Sequence, residues 1–67
     1  MTKKQMRKIA KELCELELAH RNTNAQDEIA KIEQKIMQIT TRIFTSPDGM
    51  ETMAEIDEMV QDMLSNS

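Results

Sequence analysis

Residues 25–43, AQDEIAKIEQKIMQITTRI, contain the pattern that decides the fold. From Ala25 to Ile43 the apolar side chains recur every three or four residues, which is a 3.5-residue period. Isoleucine is β-branched and suits a strand, but a strand would require a period of two. The period therefore predicts an amphipathic helix. We call its repeating isoleucines the isoleucine row: Ile29, Ile32, Ile36, Ile39 and Ile43.

Polar segments on either side of this helix divide the chain into three predicted helices. The segment Arg21-Asn22-Thr23-Asn24 precedes the helix, and Ser46-Pro47-Asp48-Gly49 follows it. Clusters of this composition mark turns and breaks. We predict helices over about residues 3–21, 24–44 and 48–64.

Side chains in these breaks can cap the helices. Thr23 with Gln26 three residues on matches a capping box, and Asn24 competes with Thr23 as N-cap of the second helix. For the third helix, either Ser46 caps with proline at the first helical position, or Asp48 caps and a glutamate three residues on completes the box.

The first and third predicted helices also carry apolar rows. In the first helix these are Met6, Ile9, Leu13 and Leu16. In the third they are Met53, Ile56, Val60 and Met63, flanked by Met50, Met59 and Leu64. Because the first connection is short, the first two helices are expected to form an antiparallel hairpin. The second helix has a further, weaker row, which predicts a second neighbour for that helix: Ala30, Met37, Thr41 and Phe44.

The predicted fold class is all-α: an antiparallel helical hairpin plus a third, C-terminal amphipathic helix in a coiled-coil-like bundle. The 67 residues form one small domain, and a lone cysteine allows no internal disulfide to stabilise it. An isoleucine row of this kind is typical of assemblies with more than two helices. We therefore predict that a homodimer completes the bundle through the isoleucine row, and whether the third helix packs in cis or in trans is left open.

Charge is distributed unevenly along the chain. Residues 1–45 hold all nine basic side chains and six acids, whereas residues 46–67 hold six acids and no base, so +3 and −6 give the net −3. One helical face, the basic row, carries Lys3, Lys4, Arg7, Lys8 and Lys11. Another, the acidic row, carries Glu51, Glu55, Glu58 and Asp62. The two rows either pair between chains or are both solvated.

Few residues suit catalysis or metal binding. Glu17 and His20 have the Glu-x-x-His spacing of di-iron bundles, but the other carboxylates that such a site needs are missing from the apolar faces. His20, near the hairpin end, is expected to be either a partly buried, hydrogen-bonded residue or a surface residue close to the loop. Cys14 is expected to be a small buried apolar residue. We therefore predict a non-enzyme without cofactor or metal. No apolar run reaches the roughly 20 residues of a membrane span, and a cytoplasmic location is expected.

Three function classes are consistent with these features. The leading hypothesis is binding of a partner protein, as adaptor, assembly subunit or inhibitor, through the basic and acidic rows and Leu18, which projects from the polar side of the first helix. The first alternative is a small nucleic-acid-binding regulator that uses the basic row. The second is an acidic inhibitor, encoded by a phage or mobile element, whose acidic row imitates phosphates.

Overall fold

The computed structural model describes residues 2–66 and places three helices there, with no strand: α1 (Lys3–Asn22), α2 (Gln26–Phe44) and α3 (Gly49–Ser65). Each helix packs against both of the others, and α1 packs most extensively on α3. The predicted all-helical class is confirmed. α3 folds back onto the hairpin of its own chain, so a second copy is not needed to position it.

A capping box that sequence analysis overlooked starts α1. The Thr2 hydroxyl accepts a hydrogen bond from the Gln5 backbone N–H at 3.2 Å, and the Thr2 backbone N–H donates to Gln5 Oε1 at 3.1 Å. The Thr-x-x-Gln spacing that signals this cap is present at positions 2–5. Two backbone donors at the helix end are thereby satisfied.

The predicted capping box at the start of α2 is wrong. The N-cap is Ala25, which offers no side-chain cap, and the helix begins at Gln26. Thr23 instead organises the connection: its hydroxyl donates to Glu28 Oε2 at 2.7 Å and accepts from the Ala25 backbone N–H at 3.3 Å. Asn24 does not cap the helix either, because it lies one residue before the N-cap.

The corner between α2 and α3 is closed by a side-chain hydrogen bond and by a close approach of the two helix backbones. The Ser46 hydroxyl donates to the Ile43 carbonyl at 2.7 Å, so it finishes α2 rather than capping α3. Asp48 is the N-cap residue of α3, but its side chain makes no capping hydrogen bond. Gly49 is buried, and a Cβ added there would lie 2.5 Å from the Ile43 carbonyl oxygen and 2.7 Å from Phe44 Cα. The corner therefore requires glycine for lack of space.

One apolar core joins the three helices. It is formed by seven buried side chains: Met6, Ala10, Leu13 and Cys14 of α1, Ile43 of α2, and Ile56 and Val60 of α3. α2 contributes a single buried member, Ile43, near the corner at which α3 begins. Ile36 and Ile39 are half-buried against this core, whereas Ile29 and Ile32 are half-buried outside it.

The second apolar row of α2 is open to solvent among residues 2–66. Ala30, Met37, Thr41 and Phe44 are all exposed. The predicted second neighbour of α2 is present, since α2 packs on both α1 and α3, but this row is not the surface that it buries. The reason is that α3 packs on the side of α2 that faces α1, where Ile43 meets the core.

Candidate functional site

The basic row of α1 lies open to solvent. Its five side chains are all exposed, and none is within 4.0 Å of a carboxylate in the described part of the chain. α1 turns its other side to the core, through Met6, Ala10 and Leu13. The row is therefore a strip of unpaired positive charge along the first half of the helix.

The acidic row of α3 is equally open. All four of its side chains are exposed, and α3 contains a further exposed acid, Asp57, and no basic residue. Although α3 packs on α1, the sides in contact are apolar, with Ile56 and Val60 buried between the helices. Between residues 2 and 66 the acidic row forms no ion pair with the basic row, so pairing between chains stays a prediction.

In the described part of the chain, one side-chain polar contact links α1 and α2. His20 Nε2 and Glu33 Oε1 lie 3.3 Å apart, with the two side chains 42% and 63% exposed. His20 thus lies near the hairpin end and is hydrogen-bonded, as expected. Glu17 is half-buried on the same side of the hairpin. Residues 2–66 contain no group of three or more His, Cys, Asp or Glu side chains placed to hold a metal ion.

Two residues of α1 have different outcomes. Cys14 is a free, buried cysteine in the core, as predicted. Leu18 was expected to project from the polar side of α1, and this placement is wrong, whereas its role as a partner contact stays a prediction. Leu18 is half-buried and packs against the core. Leu18 therefore contributes to packing within the chain.

Large apolar side chains stand exposed at three described positions. Met37 is 65% exposed, Phe44 53% and Met50 80%. Met37 and Phe44 belong to the second row of α2, and Met50 is the second residue of α3. The spacing of seven residues from Ala30 to Met37 and from Met37 to Phe44 already marked this surface in the sequence. What the sequence did not show was that no part of residues 2–66 covers it.

We define the outer face of α2 as the second row together with two further exposed residues, Gln26 and Glu33. At about 100° per residue these six positions fall within an arc of roughly 80°. Glu33 is the one charged member, and its carboxylate already contacts His20. The outer face is thus a nearly uncharged strip on a surface where charged residues otherwise dominate.

An open groove also runs along the hairpin of α1 and α2. Leu16 of α1 and Ile32 of α2 form its apolar floor, and the volume is about 550 Å³. Its rim is formed by α2 side chains: Glu28, Lys31, Gln34, Lys35 and Gln38. The isoleucine row was predicted to be covered, whereas its member Ile32 lines an open groove and is accessible.

These surfaces expose charged and apolar side chains, through which a protein can bind a partner. No helix within residues 2–66 combines the length and the apolar character needed to cross a membrane. In comparisons with known proteins, no protein family, curated protein or solved structure matches the chain.

Proposed function

We propose that the chain is a non-enzymatic, cytoplasmic helical protein that works as a homodimer and binds a partner protein, as adaptor, assembly subunit or inhibitor. The observation that carries this proposal is the exposure of Met37, Phe44 and Met50, each more than half accessible. Exposed apolar side chains grouped on one part of a surface mark interaction sites, whereas single scattered ones do not. Met37 and Phe44 share one helix face, and Met50 follows the corner where that helix ends.

The unpaired charged rows support the same proposal. The basic row and the acidic row lie on different helices and make no ion pair with one another within residues 2–66. Complementary charge on a partner raises association rates and selects among partners, and its effect falls as salt increases. We propose that the charged rows select the partner.

A capture experiment tests the partner-binding proposal. Tagged wild-type chain is compared in the native host with a variant that carries Lys3→Glu, Lys4→Glu, Arg7→Glu and Lys8→Glu. A matched control reverses charge on α2 instead, with Lys31→Glu and Lys35→Glu. The expected result is one protein that is captured by the wild type and the control but lost from the basic-row variant, and that binds again when both proteins are purified.

Circular dichroism must show that the wild type, the basic-row variant and the α2 control variant are equally helical. Equal capture of every bound protein by wild type and basic-row variant would show that the row selects no partner. Failure of the captured protein to bind when purified would equally contradict the proposal, because the contact would then not be direct.

Nucleic-acid binding through the basic row is the second candidate. It is favoured by five exposed cations on one face with no carboxylate within 4.0 Å in the described residues. The sequence pI of about 5.0 opposes it, since the whole chain is repelled by phosphates. A salt titration decides: binding to RNA or DNA should weaken steeply between ~50 and ~200 mM salt if several phosphates are contacted. No binding at low salt would eliminate this candidate.

The third candidate rests on the exposed acidic row of α3, which lacks any neighbouring base in its own helix. We propose as an alternative that this row imitates a line of phosphates and occupies a nucleic-acid-binding groove on a target. Neutralising the row with Glu51→Gln, Glu55→Gln, Glu58→Gln and Asp62→Asn should abolish binding to the captured partner. DNA should also compete with the wild-type chain, and a partner that binds both together would contradict this alternative.

A further inference from the structure

The accessible surface of the chain is larger than that of a folded monomer of its size. The chain exposes 5338 Å² and has a mass of 7.8 kDa. The surface scaling of folded monomers gives about 4400 Å² at this mass, so the excess is roughly 900 Å². A standard stable interface removes about 800 Å² from each partner. The excess is therefore of the size that one partner of similar dimensions would cover.

The outer face of α2 is the surface best suited to that contact. It is accessible along the whole helix, from Gln26 to Phe44, and it carries two of the three most exposed large apolar side chains of the described residues. Its one charge, on Glu33, is engaged by His20. Desolvating this strip therefore costs less than desolvating the basic or acidic row, where every member is charged.

We propose that two copies of the chain pair through the outer faces of their α2 helices, antiparallel, with the two-fold axis beside Met37. In an isologous contact, residue i meets residue j of the partner and residue j meets residue i. Ala30 and Phe44 lie seven residues before and after Met37. Antiparallel pairing about Met37 therefore places each Phe44 against Ala30 of the partner subunit.

The side chains of the outer face fit this register. A large ring opposite a methyl group allows two helices to interdigitate, as facing positions do in well-packed cores. Met37 meets its own copy at the axis, where a flexible thioether adapts to the space available. Glu33 falls opposite Thr41 of the partner subunit, so a hydroxyl donor faces a carboxylate acceptor. A parallel pairing would instead place Phe44 against Phe44 and Glu33 against Glu33.

This inference rests on the proposed function, in which the chain acts as a homodimer, and it assigns the surface and the register. It differs from the sequence-based expectation that the isoleucine row forms the dimer. That row faces the inside of the hairpin, where Ile43 is buried and Ile36 and Ile39 pack against the core. The outer face pairs with a second copy without opening this packing.

A size-swap experiment tests the register. Sedimentation equilibrium measures the dimer dissociation constant of the wild type, Ala30→Phe, Phe44→Ala and the double variant. Each single variant is expected to weaken the dimer about tenfold or more, by crowding two rings or by removing an apolar anchor. The double variant exchanges the two sizes and should restore the dimer to within about threefold of the wild type, given the usual limits of additivity.

Two controls accompany the swap. Gln61→Ala changes an exposed side chain of α3 outside the outer face and should leave the dissociation constant unchanged. Met37→Glu places two like charges at the axis and should leave monomer only. Circular dichroism verifies that each variant remains helical, which is expected because all the substituted positions are exposed in the single chain.

Three results would overturn the pairing: a wild-type chain that stays monomeric up to about 1 mM, a dimer that survives Met37→Glu, or a double variant no tighter than the single ones. A monomeric wild type would also refute the homodimer of the proposed function, whereas the other two results would leave a homodimer that pairs through another surface. None of the three would refute partner binding, because capture through the basic row is measured separately and that row lies on α1. Conversely, a dimer that obeys the swap while capture fails would refute the proposed partner and leave the pairing established.

Discussion

Replacement of Gly49 by alanine tests the close approach of the α2 backbone to the start of α3. The added Cβ would lie 2.5 Å from the Ile43 carbonyl oxygen, 2.7 Å from Phe44 Cα and 3.0 Å from the Phe44 carbonyl carbon. Favourable contacts between such atoms lie at about 3.5–4.0 Å, so the overlap approaches 1 Å. Since all three atoms belong to the backbone at the end of α2, no side-chain rotation relieves the clash. The corner between α2 and α3 must open instead.

The size of the effect follows from two opposing terms. Forced insertion of a methyl group into a packed site costs about 1–3 kcal/mol, and a rigid backbone neighbour favours the upper end. Alanine in place of glycine returns up to about 1 kcal/mol through helix propensity. The net loss is therefore about 2 kcal/mol. At 0.05–0.15 kcal/mol per residue, a domain of this length has a total stability of only about 3–10 kcal/mol.

Thermal unfolding followed by circular dichroism at 222 nm measures this loss. For a domain of this size, about 2 kcal/mol lowers Tm by roughly 8–16 °C. Protein concentration is held equal for all variants, because dimerisation would make Tm depend on it. Met50→Ala is the matched control: it introduces the same residue one position later, where the side chain is 80% exposed, and should stay within about 0.5 kcal/mol of the wild type.

The opposite result has a definite meaning. If Gly49→Ala unfolds at the same temperature as the wild type or higher, the propensity gain is unopposed. The backbone of α2 then does not approach position 49 as closely as described, and the corner that brings α3 back onto the hairpin would be incorrect.

Three further predictions concern the core and the hairpin. The thiol of Cys14, buried in the core, should react with Ellman's reagent at least about 100-fold more slowly in the native chain than in denaturant, because labelling requires opening of the fold; rapid native labelling would contradict its burial. Ile56→Ala, at a fully buried position, should cost about 3–5 kcal/mol in urea unfolding, whereas Ile32→Ala, outside the core, should cost less than about half as much; equal losses would contradict the placement of the core beside α3. His20→Ala and Glu33→Gln should each change the free energy of unfolding by less than about 1 kcal/mol, because the contact between His20 and Glu33 is exposed. A larger loss would show that this contact holds the hairpin together.

The secondary structure could be predicted because its causes are local. The 3.5-residue period of the isoleucine row, the Thr-x-x-Gln signal at residues 2–5 and the proline and glycine of the second break all act within one or two turns of chain. The detail of the caps could not be predicted in the same way. Thr23 can bond either the backbone of α2 or the Glu28 side chain, and these alternatives differ by little free energy.

The candidate surfaces were only partly predictable. The basic and acidic rows follow from helical geometry, and both are exposed as that geometry requires. Leu18 was misplaced because a helical wheel shows which side chains share a face but does not show which neighbour covers that face. The extent of the outer face of α2 was missed for the same reason, since its row of Ala30, Met37 and Phe44 is apolar enough to face a helix of the same chain or of another.

The sequence by itself determined that the chain forms three amphipathic helices, where each breaks, and how charge is divided among them, because periodicity and turn chemistry act over short distances. The tertiary structure decided which apolar rows are covered. The path from the end of α2 through Gly49 fixes where α3 lies, so Ile43 enters the core, Ile29 and Ile32 stay half-buried, and Met37 and Phe44 remain exposed. Burial depends on the arrangement of whole helices, and that arrangement is set by contacts between residues far apart in the chain.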